Sequence, residues 1–144
     1  MRHKSIIGLS HDHHHGLVLA QLIKKNAPHY QNLPNDADGK ISYTINAYEK
    51  ELLPHFKKEE EYLFPVVKGK SDKTDQLIDD LLNEHKLITS LVLRLQSDND
   101  KEALLNELGN VLANHIRKEE RELFAMLEDI LTEEELNVLV TQLT

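Results

Sequence analysis

The chain has 144 residues, with 17 basic against 25 acidic side chains, a formal net charge of −8, nine histidines and no cysteine. That length suits one domain able to bury its own core, and the missing thiols exclude a disulfide framework, a thiolate metal site and a thiol nucleophile. The acid excess argues against nucleic-acid or anionic-membrane partners. No apolar run reaches the roughly 20 residues of a membrane span, and no secretory apolar stretch follows Met1-Arg2-His3-Lys4, so a single cytoplasmic domain over residues 1–144 is expected.

In chain order, apolar spacing of the helical kind recurs in four long segments, and nothing alternates with period two. The first runs from about Ser10, a plausible N-cap, to Asn26. A loop containing Pro28, Pro34, Asn35 and Gly39 follows. The second segment covers about Lys40 to Val67, with Pro54 inside it freeing the Lys50 carbonyl and kinking the helix. After a turn at Gly69–Asp72, with Asp72 as N-cap, the third covers about Lys73 to Gln96, and Ser97-Asp98-Asn99 ends it. The fourth runs from about Lys101 to Ile130, and Thr132-Glu133-Glu134-Glu135 reads as a capping box opening a short helix, Leu136 to Leu143. The expected fold is all-α: an up-and-down antiparallel four-helix bundle with a short extra C-terminal helix. Aromatic residues are few, so its core must be mostly Leu, Ile and Val.

Segments two and four carry a duplicated unit: His55-Phe56-Lys57-Lys58-Glu59-Glu60 with Leu63-Phe64, and His115-Ile116-Arg117-Lys118-Glu119-Glu120 with Leu123-Phe124. At about 100° per residue, His115 and Glu119 share a stripe with Leu104, Leu108, Leu112 and Met126, and His55 and Glu59 share one with Tyr48, Leu52 and Val66. Each unit therefore points one His and one Glu inward, while Lys57, Lys58, Glu60 and Glu120 fall on the polar face. In segment three His85 shares the stripe of Ile78, Leu81, Ile88 and Val92, and Glu84 falls away from it toward solvent. Segment one holds His11, His13, His14 and His15. A stripe drawn through Val18, Leu19, Leu22 and Ile23 holds His15 and His11, with His14 at its margin and His13 on the opposite face. Apolar residues two, three, seven and eight positions after both His15 and His85 select His15. His11, one turn earlier, is either a fifth ligand or a near neighbour.

His15, His55, Glu59, His85, His115 and Glu119 would thus meet at one depth. Two ionised carboxylates buried without counter-charge are very unfavourable, no Lys or Arg shares the layer, and bound cations resolve the conflict. Six N and O donors exceed one tetrahedral zinc site and suit two bridged ions, iron first and manganese second, with zinc a further alternative.

These residues resemble the hemerythrin-like, HHE cation-binding family, from Leu9-Ser10-His11-Asp12-His13-His14-His15 through Glu84-His85 to His115–Glu120. The resemblance implies a bundle around a non-haem di-iron centre that binds O2 or related small ligands. It assigns His15 and His85 as the single His of helices one and three, with His55/Glu59 and His115/Glu119 from helices two and four. Oxygen-carrying members have an H-x-x-x-H pair on the third helix and a carboxylate five residues after the last His. Here positions 81 and 89 are Leu and Thr, and the last carboxylate is four residues on. The chain therefore resembles the sensing or iron-handling branch more than a carrier. The expectation is a binding module with two iron ions that binds or senses O2, NO or iron, and at most a second copy as a homodimer partner. A di-iron enzyme (oxidase, peroxidase-like, or an iron donor for iron–sulfur repair) and a metal-free structural bundle are the alternatives.

Overall fold

The computed structural model describes residues 2–97 and 99–143, and is all-helical over them; Asp98 of the expected break lies outside that range. Helix α1 is Ile7–Ile23, α2 spans 37–67, α3 is Asp72–Arg94, α4 spans 101–130 and α5 is Glu133–Gln142. Short connections join α2 to α3 and α3 to α4, as an up-and-down bundle requires, and α1 lies along α4, which also packs on α3. The fourth helix starts at Lys101 as expected, capped by Asp100, whereas α2 and α3 start earlier because Asp36 caps α2 and Ser71 rather than Asp72 caps α3. Ser10 is not a cap; α1 begins three residues before it, and its hydroxyl donates to Glu120 Oε1 at 2.7 Å. Thr132 and Glu135 complete the reciprocal capping box of α5, which docks Leu136 and Leu139 on the chain's own bundle.

Three five-residue π turns interrupt the long helices: Tyr48–Leu52 and Glu59–Leu63 in α2, Glu119–Leu123 in α4. The first lies just ahead of Pro54, and the Leu53 N–H reaches the Tyr48 carbonyl, five residues back; the lost donor at Pro54 is absorbed as a wide turn. The other two begin at the duplicated Glu. Proline does not explain both, since Pro65 follows the α2 turn and no proline follows the α4 turn. Each π turn takes up one extra residue, so everything after it is rotated back by one position. The buried residues beyond the turns are accordingly Leu63, Phe64, Val67 and Leu123, Phe124, Leu127, whereas Val66 and Met126, expected inside from straight-helix spacing, are only half-buried.

The apolar core falls into two clusters. One contains Leu19, Ala20, Leu22, Ile23, Leu52, Phe56, Ile88, Leu91, Val92, Leu95, Leu104, Leu105, Leu108, Leu112, Ala113 and Ile116; the other contains Ile6, Leu9, Leu63, Phe64, Val67, Leu77, Ile78, Leu81, Leu123, Phe124, Leu127, Leu131, Leu136, Leu139 and Leu143. The buried polar residues His13, His55, Glu59, His85, His115 and Glu119 stand between these two clusters along each helix.

Candidate metal centre

The two duplicated units do what their spacing predicts. His55 and Glu59, and His115 and Glu119, are one turn apart on the inner faces of α2 and α4, with Glu59 and Glu119 fully buried. His85 joins them from α3. From α1 the structure supplies His13, while His15 is exposed. The stripe used to phase α1 included Val18, which is 45% exposed, and passed over Gly16 and Ala20, which are buried. Those small residues set the true inner face. Ala20 meets Gly109 of α4 so closely that a Cβ on Gly109 would stand 2.8 Å from the Ala20 carbonyl oxygen. Close backbone approach, not side-chain size, turns α1 by roughly a quarter turn from the expected phase and brings His13 inward. The offset match with His85 fails for a related reason: two residues it used in α3, Leu87 and Leu93, are on the surface. His11 is exposed too, its ring 5.1 Å from that of His15.

The six inner residues form two overlapping groups, His13–His55–Glu59–Glu119 and Glu59–His85–His115–Glu119, in each of which one donor atom per residue lies within 4.8 Å of the others. The individual separations are tighter: His13 Nε2 to Glu119 Oε1 is 2.9 Å, His85 Nε2 to Glu59 Oε1 is 3.3 Å, His55 Nε2 to Glu59 Oε1 is 3.4 Å and His115 Nε2 to Glu119 Oε2 is 3.6 Å. Donors sharing one ion at about 2.1 Å stand roughly 3 to 3.5 Å apart. Among the described residues, every buried side-chain N or O without a hydrogen-bond partner belongs to these six: both nitrogens of His13, the Nε2 atoms of His55, His85 and His115, and all four oxygens of Glu59 and Glu119. Buried polar atoms are normally paired. This concentration is the chemical signature of a donor set for cations, and the shared carboxylates would bridge two of them.

Behind the inner layer stands a second set of carboxylates. His55 Nδ1 contacts Asp12 Oδ2 at 3.0 Å, His85 Nδ1 contacts Glu60 Oε2 at 2.9 Å and His115 Nδ1 contacts Glu84 Oε1 at 2.7 Å. His13 Nδ1 lies 3.4 Å from Glu120 Oε1. An ionised carboxylate can only accept, so each bonded Nδ1 carries the proton and its Nε2 is left with a lone pair facing the centre. Glu60, Glu84 and Glu120, expected to be solvated, are therefore orienting groups. The available sequence signal was adjacency: each follows or precedes an inner residue, as in Asp12-His13, Glu59-Glu60, Glu84-His85 and Glu119-Glu120.

The electrostatics differ around the site. Burial would lower His13, but the carboxylates of Glu119 and Glu120 beside it outweigh that and lift its pKa to about 9. His55 is raised as well, burial being overcome by Glu59 and Asp12. Burial, with the neighbouring His115, pushes His85 down to about 3. Its ring stacks on Phe56 at 3.9 Å and faces Phe64 at 5.8 Å. Burial and repulsion from Glu119 push Glu59 well above the carboxylate range; in Glu119 burial is outweighed by the neighbouring Glu59, His13 and His55 side chains, which hold it low. Without ions, the two buried carboxylates titrate as a pair.

A cavity of about 220 Å³ opens between α1 and α2 beside His13, His55 and His115. Gly16, Leu19, Leu52, Leu112 and Ile116 make its apolar walls, with His15, Lys50 and Glu51 among its polar lining. No described helix is long and apolar enough to cross a membrane. The family model for the hemerythrin HHE cation-binding domain matches residues 6–127. No curated protein and no solved structure gave a match.

Proposed function

As the chain belongs to the hemerythrin HHE cation-binding family, we propose that it holds two iron ions in the bundle core and binds or senses a diatomic ligand, O2 or NO, there. His13 and His55 would hold one ion, His85 and His115 the other, and Glu59 and Glu119 would bridge them. The observation that carries this reading is the set of unpartnered buried donor atoms, confined to those six residues. Imidazole and carboxylate donors without thiolate favour iron, then manganese. A bound pair of such ions supplies electrons to, and takes them back from, a small ligand. The chain supplies the rest. Its outer carboxylates keep the Nε2 lone pairs of His55, His85 and His115 aimed inward, its carboxylates balance charge, and the walls built by Leu19, Leu52, Leu112 and Ile116 admit a small apolar molecule while limiting water.

The test is anaerobic reconstitution with ferrous ion, followed by metal analysis and optical spectra before and after exposure to O2 or NO. Two irons per chain and new near-ultraviolet and visible absorption on exposure are expected. Less than about a tenth of an ion per chain, or a spectrum indifferent to both gases, would sink the reading.

A further inference from the structure

The outer carboxylates follow an order. Asp12 of α1 bonds His55 of α2; Glu60 of α2 bonds His85 of α3; Glu84 of α3 bonds His115 of α4; Glu120 of α4 faces His13 Nδ1 of α1 in a longer ion-pair contact of 3.4 Å. No carboxylate serves a ring on its own helix, and together they close a circuit around the bundle in one direction. A cation backs each of them: Lys118 bonds Glu84, Arg2 Nε lies 3.5 Å from Glu120 Oε2, and Lys58 and Lys86 act on Asp12 and Glu60. Projected onto the two inner groups, the circuit divides cleanly. Asp12 and Glu120 orient only His55 and His13, while Glu60 and Glu84 orient only His85 and His115.

We infer that these four carboxylates are positioning residues divided by ion: Asp12 and Glu120 govern retention of the ion between α1 and α2, and Glu60 and Glu84 that of the ion between α3 and α4. The inference rests on the two-ion reading above. An amide in place of a carboxylate removes the charge that pins the Nδ1 proton and allows the ring its other tautomer, with Nε2 protonated and unable to ligate. Loss of such an orienting partner lowers affinity by about 10- to 100-fold. Because Glu59 and Glu119 are shared, the partner ion should also weaken, but by less.

The experiment titrates cobalt(II) into the wild-type chain, Asp12→Asn/Glu120→Gln and Glu60→Gln/Glu84→Gln. It reads stoichiometry and the paramagnetically shifted exchangeable ring N–H signals of ligated His, assigned with single His variants. Wild type should bind two ions. Each double variant should lose one ion by about 10- to 100-fold and keep the other, the first retaining the His85 and His115 signals and the second those of His13 and His55. Circular dichroism checks folding, and the single variants Asp12→Asn and Glu60→Gln, at the two most exposed of the four carboxylates, repeat the comparison if a double variant fails to fold. Equal weakening of both ions in both variants, or no change in either, overturns the division while leaving the two-ion reading intact. A wild-type chain that takes up no cobalt(II) overturns the two-ion reading itself.

Discussion

The two halves of the centre are built from the same donors and are held differently. At the α3/α4 half, His85 and His115 bond their carboxylates at 2.9 and 2.7 Å, and His85 is clamped by Phe56 and Phe64. At the α1/α2 half, His55 bonds Asp12 at 3.0 Å, but His13 sits 3.4 Å from Glu120 and its ring stacks on Phe124 alone among the Phe rings. Their electrostatics diverge in parallel: His13 and His55 favour the proton, and His85 resists it. A chemically uniform donor set has thus become one half whose two rings bond their carboxylates closely and one half whose His13 is held more loosely.

The largest effect that could break this contrast is loss of a bridge. Glu59→Gln or Glu119→Gln should reduce ion content from two toward none, because each carboxylate belongs to both groups, while Glu61→Gln, at an exposed position, should leave metal analysis unchanged. If only one ion is lost, the carboxylates do not bridge. Next in size is the choice of histidine on α1. His13→Ala should weaken the α1/α2 ion by at least about 100-fold, beyond the range for losing only an orienting partner, and His15→Ala should not change its affinity. The reverse outcome would restore the phase drawn through Val18.

Protons sharpen the comparison further. At pH 7 His13, at about 9, carries a proton in the ion-free protein, and a ligating imidazole must give it up. Filling the α1/α2 position should therefore release protons into weakly buffered solution, and its affinity should climb with pH until about 9. His85, at about 3, is already neutral. The sign for ion-free stability is opposite: the raised His13 stabilises the fold below its unfolded pKa of about 6.5, and that contribution is lost as pH rises through about 9. A smaller effect comes from the seam that sets the α1 phase. Gly109→Ala would press a methyl against the Ala20 carbonyl and Lys24, and should lower stability by about 1 to 3 kcal/mol in denaturant unfolding while loosening His13 more than His85.

The bundle, the duplicated His/Glu units and the inward turn of His85 were legible because side-chain size and a period of 3.6 report helix faces well when large apolar residues do the packing. His13 was not. On α1 the packing face is marked by Gly16 and Ala20, whose contribution lies in how closely they let the backbones approach, and size-based phasing looks past them. Val66 and Met126 misled for a different reason: a π turn is a change in backbone period with no residue signature in α4. The outer carboxylates read as ordinary surface charge because their partners lie on other helices.

The surplus residue in the Glu119–Leu123 turn has a consequence for how this chain tolerates shortening. Removing Arg121 or Glu122, both exposed, would let the backbone relax to an ordinary α-helix and keep Leu123, Phe124 and Leu127 facing inward. The same single deletion between His115 and Glu119 would swing every following side chain by about 100°. Length variation in α4 should therefore be accepted at that one turn and refused on either side of it.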